Sequence, residues 1–128
     1  MKHDPLADMF YVIWNTEKVG HKLCVVPASD LIKNVLMIMQ KEGFIGSFEY
    51  IEDGRGGKIQ VELVGHVNRA HVIKPRFAVQ KNEFEKWESR YLPAKGVGVI
   101  ILSTPKGIMT HEEAKKNNTG GRLLGYVY

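Results

Sequence analysis

The feature that most constrains the fold is a change in hydrophobic periodicity along the chain. Between residues 5 and 41, apolar side chains recur at helical spacing in two segments, one after Asp4-Pro5 and one after Ser29. Asp and Ser are favoured helix N-caps and Pro suits the first helical position, so each segment is predicted to begin a helix. From Lys58 to Val64, apolar and polar residues alternate instead, which predicts a half-buried strand.

The first half of the chain is predicted to run helix, strand, helix, strand, strand. The first helix is expected to end near Gly20, and the second near Gly43. The sequence that follows predicts a hairpin, in which Phe44–Glu52 and Lys58–Val64 flank a glycine-rich turn at residues 53–57. Helices on one face of this sheet would form a small α/β layer.

The second half is predicted to be mainly β with short helices. Asn82 is placed as the cap of a helix containing Phe84 and Trp87, and Thr110 with Glu113 as a capping box. The predicted strands are Val72–Val79, Val97–Leu102 and Arg122–Tyr128. The predicted fold class is therefore α+β, with an N-terminal α/β domain at residues 1–67 packed on a C-terminal β-rich domain at residues 68–128.

Composition limits the possible partners of the chain. Its 128 residues carry a net charge of +4, which allows a polyanionic partner bound by a folded surface. One cysteine fits a reducing compartment, and no apolar run approaches the ~20 residues needed to span a bilayer. We therefore expect a cytoplasmic protein that is not bound to a membrane and is a monomer on its own.

Enzyme and metal signatures are weak. The Asp53–Lys58 segment lacks the Ser or Thr that follows the lysine of a phosphate-binding loop. The pair Glu112-Glu113 lies where a helix dipole favours acids, and Cys24 lies in an apolar strand without an activating neighbour. The five histidines show no zinc spacing and are expected to be surface or capping residues. No cofactor, metal or catalytic residue is predicted.

The segment Ser103-Thr104-Pro105-Lys106-Gly107 is the strongest candidate site. It is expected to connect an apolar strand to the short helix capped by Thr110. One interpretation is a plain turn whose hydroxyls bond the local backbone. The other is an RNA contact, because short hydroxyls, a lysine and close backbone approach suit base edges and 2′-hydroxyls. Arg76 beside Phe77 similarly offers a cation next to a ring.

The chain resembles protein eight of the small ribosomal subunit, in its archaeal and eukaryotic form and leaning archaeal, over essentially its whole length. The motifs that carry the resemblance are Asp4-Pro5-Leu6-Ala7-Asp8, Pro27-Ala28-Ser29, Glu42-Gly43-Phe44-Ile45-Gly46, Ile73-Lys74-Pro75-Arg76-Phe77, Arg90-Tyr91-Leu92-Pro93-Ala94, Ser103-Thr104 with Gly107-Ile108-Met109, His111-Glu112-Glu113-Ala114, and Gly120-Gly121-Arg122-Leu123-Leu124-Gly125-Tyr126.

This resemblance implies a structural constituent of the ribosome in the cytoplasm. Such a protein binds a helix in the central domain of small-subunit rRNA, supports assembly of the platform and lies beside other small-subunit proteins. The RNA-binding residues that it implies, together with the basic segment before Phe77, are Ser103, Thr104, Lys106, Gly107, Gly120, Gly121, Arg122, Asp4, Pro5, Asn15, Ser29, Lys33, Lys74 and Arg76.

Three positions depart from the family pattern. Pro105 replaces a serine common in bacterial members and removes a hydroxyl and an N–H donor. Asp30 stands where a lysine is common, which makes Lys33 the better candidate for a phosphate contact. Arg122 replaces a bacterial acid. Two alternative functions remain open: a translational regulator that binds an mRNA mimic of the rRNA site, and a small hydrolase using Ser103 or Cys24.

Overall fold

The structure is a computed structural model and describes residues 4–128. The chain divides into two compact units, the first ending at Ala70 and the second beginning at His71. The sequence-based boundary was placed three residues earlier, after residue 67. The α+β class is confirmed, since the described residues form four helices and two antiparallel sheets.

The first unit follows the predicted order of elements. Its elements are α1 (Pro5–Lys18), β1 (Leu23–Pro27), α2 (Asp30–Lys41), β2 (Ile45–Ile51) and β3 (Lys58–Leu63). The strands form an antiparallel sheet in the order β1-β3-β2, and α1 contacts β1 while α2 contacts β2. Both predicted caps are confirmed: the Asp4 carboxylate accepts from two N–H groups of α1, and the Ser29 hydroxyl accepts from the N–H of Ile32.

The second unit is built on a larger sheet. Its elements are β4 (Ala70–Val72, of which only Ala70 falls in the first unit), β5 (Ala78–Val79), α3 (Phe84–Tyr91), β6 (Val99–Thr104), β7 (Gly107–Thr110), α4 (His111–Lys116) and β8 (Gly121–Val127). The strand order is β4-β8-β6-β7, with β5 also paired to β8. One face of β6 and β8 packs with α3 into a core that includes Phe84, Trp87, Leu102 and Leu123.

Several predictions in this unit were wrong. The extended segment Val72–Val79 is not one strand, because only its two ends form strands, in β4 and β5, and β6 runs to Thr104 instead of ending at Leu102. The segment after Ser103 does not lead directly into a helix, because Gly107–Thr110 forms the strand β7 and pairs with β6. Asn82 is not the N-cap of α3. Glu83 occupies that position, so the helix begins at Phe84, and both Phe84 and Trp87 are buried. His111 is not a surface residue, since its side chain is 2% exposed beneath α3.

Candidate nucleic-acid interface

Ser103 lies in a continuous row of residues that crosses four strands. It pairs with Arg122 of β8 on one side and with Ile108 of β7 on the other, and Arg122 pairs in turn with Ala78 of β5. Cross-strand partners point to the same face of a sheet. Ser103, Arg122 and Ala78 are exposed and Ile108 is half-buried, whereas the preceding Leu102 is buried. The alternation of β6 therefore presents the Ser103 hydroxyl to solvent between an arginine and an aliphatic side chain.

Thr104 has a different role from Ser103, because its side chain closes the turn of the β6–β7 hairpin. Its hydroxyl donates to the carbonyl of Gly107 at 2.8 Å and accepts from the N–H of Lys106 at 3.1 Å. Gly107 has φ of +121°, a conformation that side chains with a Cβ rarely adopt. The turn interpretation thus holds for Thr104 and Gly107, while Ser103 is left exposed beside them.

The two glycines that begin β8 are required by close backbone packing. A Cβ on Gly121 would overlap the carbonyl oxygen of Ser103, and one on Gly120 would overlap the carbonyl oxygen of Val79. Glycine is the residue that permits such an approach between neighbouring backbones. Gly120 and Gly121 therefore fix the position of Arg122 relative to Ser103.

The predicted cations of the second unit lie around the same end of the sheet. Nη1 of Arg122 is 3.4 Å from the carbonyl oxygen of Arg76, and Nζ of Lys106 is 3.4 Å from that of Asn117. Lys74 and Arg76, in the segment between β4 and β5, are exposed. Phe77 does not extend this surface, because its ring packs on Trp87 with centroids 5.0 Å apart.

In the first unit, the predicted residues divide into helix caps and exposed side chains. Asp4 and Pro5 start α1, and Asn15 is a half-buried residue on the same helix. Lys33 is exposed in the first turn of α2, one turn beyond the cap residue Ser29. The structure therefore gives Asp4 and Pro5 a clear structural role and leaves Lys33 available to a partner.

One exposed residue near Lys33, Tyr50, is not among the site residues predicted from the sequence. A cleft of about 430 Å³ is lined by Ser29, Lys33 and Tyr50, among others, and the Tyr50 side chain is 57% exposed. Tyr50 is the cross-strand partner of Ile59, so it lies on the helix-covered face of the sheet, where it lines the cleft together with the first turn of α2. The period-two alternation of β2 could have placed it on that face, although not at the cleft.

Neither candidate nucleophile has the surroundings that catalysis needs. Burial raises the pKa of the Cys24 thiol to about 11, so the thiolate is scarce at neutral pH. Both ring nitrogens of His111, the first residue of α4, are occupied by the N–H of Ile100 and the carboxylate of Glu88. Among residues 4–128, no group of three metal-ligating side chains is assembled, and no helix is long and apolar enough to cross a bilayer.

An exposed hydroxyl beside an arginine at the end of an antiparallel sheet is typical of one class, the basic α+β proteins that bind a polyanion through a folded surface. Residues 4–128 match the family described as Ribosomal protein S8. The match covers nearly the whole chain, so the chain belongs to the ribosomal protein S8 family. It is accordingly a non-enzymatic constituent of the small subunit of the cytoplasmic ribosome, where it binds rRNA beside other ribosomal proteins.

Proposed function

We propose that the chain binds an irregular helix in the central domain of small-subunit rRNA and thereby supports assembly of the platform. The observation that carries this proposal is the exposed Ser103 hydroxyl, held between Arg122 and Ile108 by strand register. Because Ser103 lies on a strand that is paired on both sides, its hydroxyl can contact RNA with little loss of conformational freedom on binding.

The chemistry of this row suits the minor groove of RNA. That groove is wide and shallow and displays 2′-hydroxyls and base edges, both of which pair with a short hydroxyl. Arginine binds phosphate oxygens in a bidentate manner, and lysine does so as a point charge. Ser103 would then contact the groove while Arg122 and Lys106 contact the backbone on either side of it.

The remaining predicted residues of the second unit support this surface indirectly. The Thr104 hydroxyl and the Gly107 carbonyl are bonded to each other, and Gly120 and Gly121 lie against neighbouring carbonyls. We assign them the shaping of the hairpin tip and of the start of β8. Lys74 and Arg76 are assigned to phosphates, since both are exposed in the segment next to Arg122.

In the first unit we assign a phosphate contact to Lys33 and a supporting role to the caps Asp4 and Ser29. The Ser29 hydroxyl already accepts an N–H of α2, but its oxygen can still donate to a phosphate. Tyr50 adds an exposed ring to the cleft beside Lys33. An aromatic ring on which a base can stack, next to a cation that can bind phosphate, is typical of surfaces that bind single-stranded RNA. Pro5 and Asn15 remain candidates through their places on α1.

Binding of two RNAs tests the assignment of Ser103. Ser103→Ala should weaken binding to the central-domain helix by about 5- to 10-fold, the value of one hydrogen bond of ~1 kcal/mol or slightly more. Binding to a regular duplex of equal length should stay within twofold, because phosphate contacts dominate there. Filter binding at fixed salt measures both affinities, and equal losses on the two RNAs would overturn the assignment.

Two further inferences concern the oligomeric state of the protein outside the ribosome and its branch of the family. We infer that it is a monomer outside the ribosome, which sedimentation equilibrium would test. We also infer that it belongs to the archaeal/eukaryotic branch of the family, on the motifs Ile73–Phe77 and Tyr91–Ala94. A representative set of relatives in which these motifs were equally common in bacterial members would contradict that placement.

A further inference from the structure

The sheet of the first unit has one face that is not covered by its helices. In β1 and β3 the buried side chains Cys24, Val26, Ile59 and Val61 belong to the helix-covered side. The residues between them point the other way. We call this second side the open face; its members are Leu23, Val25, Glu49, Ile51, Lys58, Gln60 and Glu62.

The open face carries aliphatic side chains in solvent. Leu23, Val25 and Ile51 are 55%, 47% and 37% exposed. The solvated face of an antiparallel sheet is ordinarily polar. It is therefore unusual that β1 carries apolar side chains on both of its faces. Leu23 and Val25 are neighbours on the same side of one strand, which makes the exposed apolar surface continuous.

The charges on the open face are mainly acidic. Strand register places Glu62 directly opposite Leu23, and Gln60 between Val25 and Glu49. Lys58 lies at the far end, opposite Ile51. Two carboxylates against one ammonium make this face negative in a chain whose net charge is +4. A phosphate backbone would be repelled here, and aliphatic side chains offer no ring on which bases can stack.

A second copy of the chain is also a poor occupant. An isologous contact places the same surface on both partners, so two faces that each carry a net negative charge would be brought together. Like charges brought together in an interface cost several kcal/mol. The occupant that complements this face has aliphatic side chains and positive charge, as a basic segment of another protein has.

The dimensions of the open face also limit its occupant. Three strands about 4.8 Å apart and five residues of about 3.4 Å each span roughly 10 by 17 Å. That is well below the ~800 Å² per partner of a standard protein–protein interface. An extended segment fits this area, whereas a globular domain would need more surface.

We propose that the open face is a docking surface for an extended basic segment of a neighbouring ribosomal protein. The segment lays aliphatic side chains on Leu23 and Val25 and places lysine or arginine against Glu49 and Glu62. The inference rests on membership of the small subunit and is independent of the contact proposed for Ser103.

Photocrosslinking in the assembled subunit tests the proposal. p-Benzoylphenylalanine replaces Val25 in the full chain, small subunits are reconstituted from rRNA and purified proteins, and crosslinked peptides are identified by mass spectrometry. We expect a crosslink to a peptide of another ribosomal protein with net positive charge. The substitutions Glu49→Lys and Glu62→Lys together should reduce its yield at least fivefold.

The matched control reverses two exposed carboxylates away from the open face, Glu42→Lys and Glu85→Lys. This variant should retain the full crosslink yield, and both double variants should bind the isolated rRNA helix equally because they carry the same charge. A crosslink from position 25 to rRNA, to a second copy, or to no macromolecule overturns the proposal. An equal effect of the two double variants does so as well. The Ser103→Ala affinity is measured on isolated RNA, so either proposal can fail without the other.

Discussion

His111 donates from Nε2 to Oε1 of Glu88 across 3.0 Å, in a site where its side chain is 2% exposed. Its other nitrogen, Nδ1, accepts from the N–H of Ile100 at 3.1 Å, so the ring is neutral with its proton on Nε2. Glu88 also lies 2.8 Å from Nζ of Lys115. One imidazole therefore joins α4 to α3 and to the central strand β6.

This geometry predicts a loss of stability in mild acid. Burial lowers the pKa of His111 below its ordinary value of 6.5, against the opposing effect of Glu88. The folded state thus binds fewer protons than the unfolded state, and its free energy of unfolding is highest above about pH 6.5 and falls below it. The slope attributable to this ring is at most ~1.4 kcal/mol per pH unit, the value for one proton. Urea unfolding between pH 7.5 and 5 measures it. His111→Gln should flatten the curve, and an unchanged slope would contradict the prediction.

Gly121→Ala should destabilise the protein by about 1–3 kcal/mol, because the new methyl group would overlap the Ser103 carbonyl and force a backbone shift. Chemical denaturation gives the free energy of unfolding. The control is Ser103→Ala, which changes only the exposed side chain of the residue whose carbonyl Gly121 approaches. It should change the free energy of unfolding by less than ~0.5 kcal/mol. Equal stability of the two variants would show that the close approach is not required.

Thr104→Val should cost about 1 kcal/mol, since it removes the hydroxyl that bonds both Lys106 and Gly107 within the turn. Thr104→Ser retains that hydroxyl and should recover most of the loss in the same unfolding experiment. If Thr104→Val instead kept full stability but abolished RNA binding, the hydroxyl would be an RNA ligand and not a turn brace.

Lys33→Ala should reduce the salt dependence of rRNA binding. One phosphate contact contributes about 0.7–0.9 to the slope of log affinity against log salt. Lys41→Ala, near the other end of α2, is the matched control with the same loss of charge. Affinities measured at several salt concentrations give the slope for each variant. A similar change in both slopes would mean that long-range charge, and not a contact at Lys33, is responsible.

The sequence was most informative where local chemistry alone determines the backbone. Asp4 and Ser29 cap their helices as predicted, and the alternation of Lys58–Leu63 places Ile59 and Val61 in the core. These features depend on side chains near in sequence. The family resemblance was likewise visible from ordered motifs and is confirmed over residues 4–128.

The features that escaped prediction depend on residues distant in sequence. The strand β7 has only four residues and exists because β6 pairs with it, so a turn followed by a cap gave no sign of it. His111 is buried because α3 covers it, which the capping pattern of α4 does not reveal. Ser103 is exposed and Thr104 is buried because side chains alternate along β6. The sequence-based prediction ended this strand two residues too early, at Leu102.

The position of β8 determines when during synthesis the Ser103 surface can exist. This strand follows every other element in the described chain, yet it lies between β4 and β6 in the sheet and supplies Arg122 beside Ser103. A nascent chain that has released only the elements through α4 has the hairpin tip but lacks the neighbouring strand that holds it. The rRNA contact proposed for Ser103 therefore requires a chain in which β8 has left the exit tunnel, so we expect chains that lack β8 not to compete for that contact.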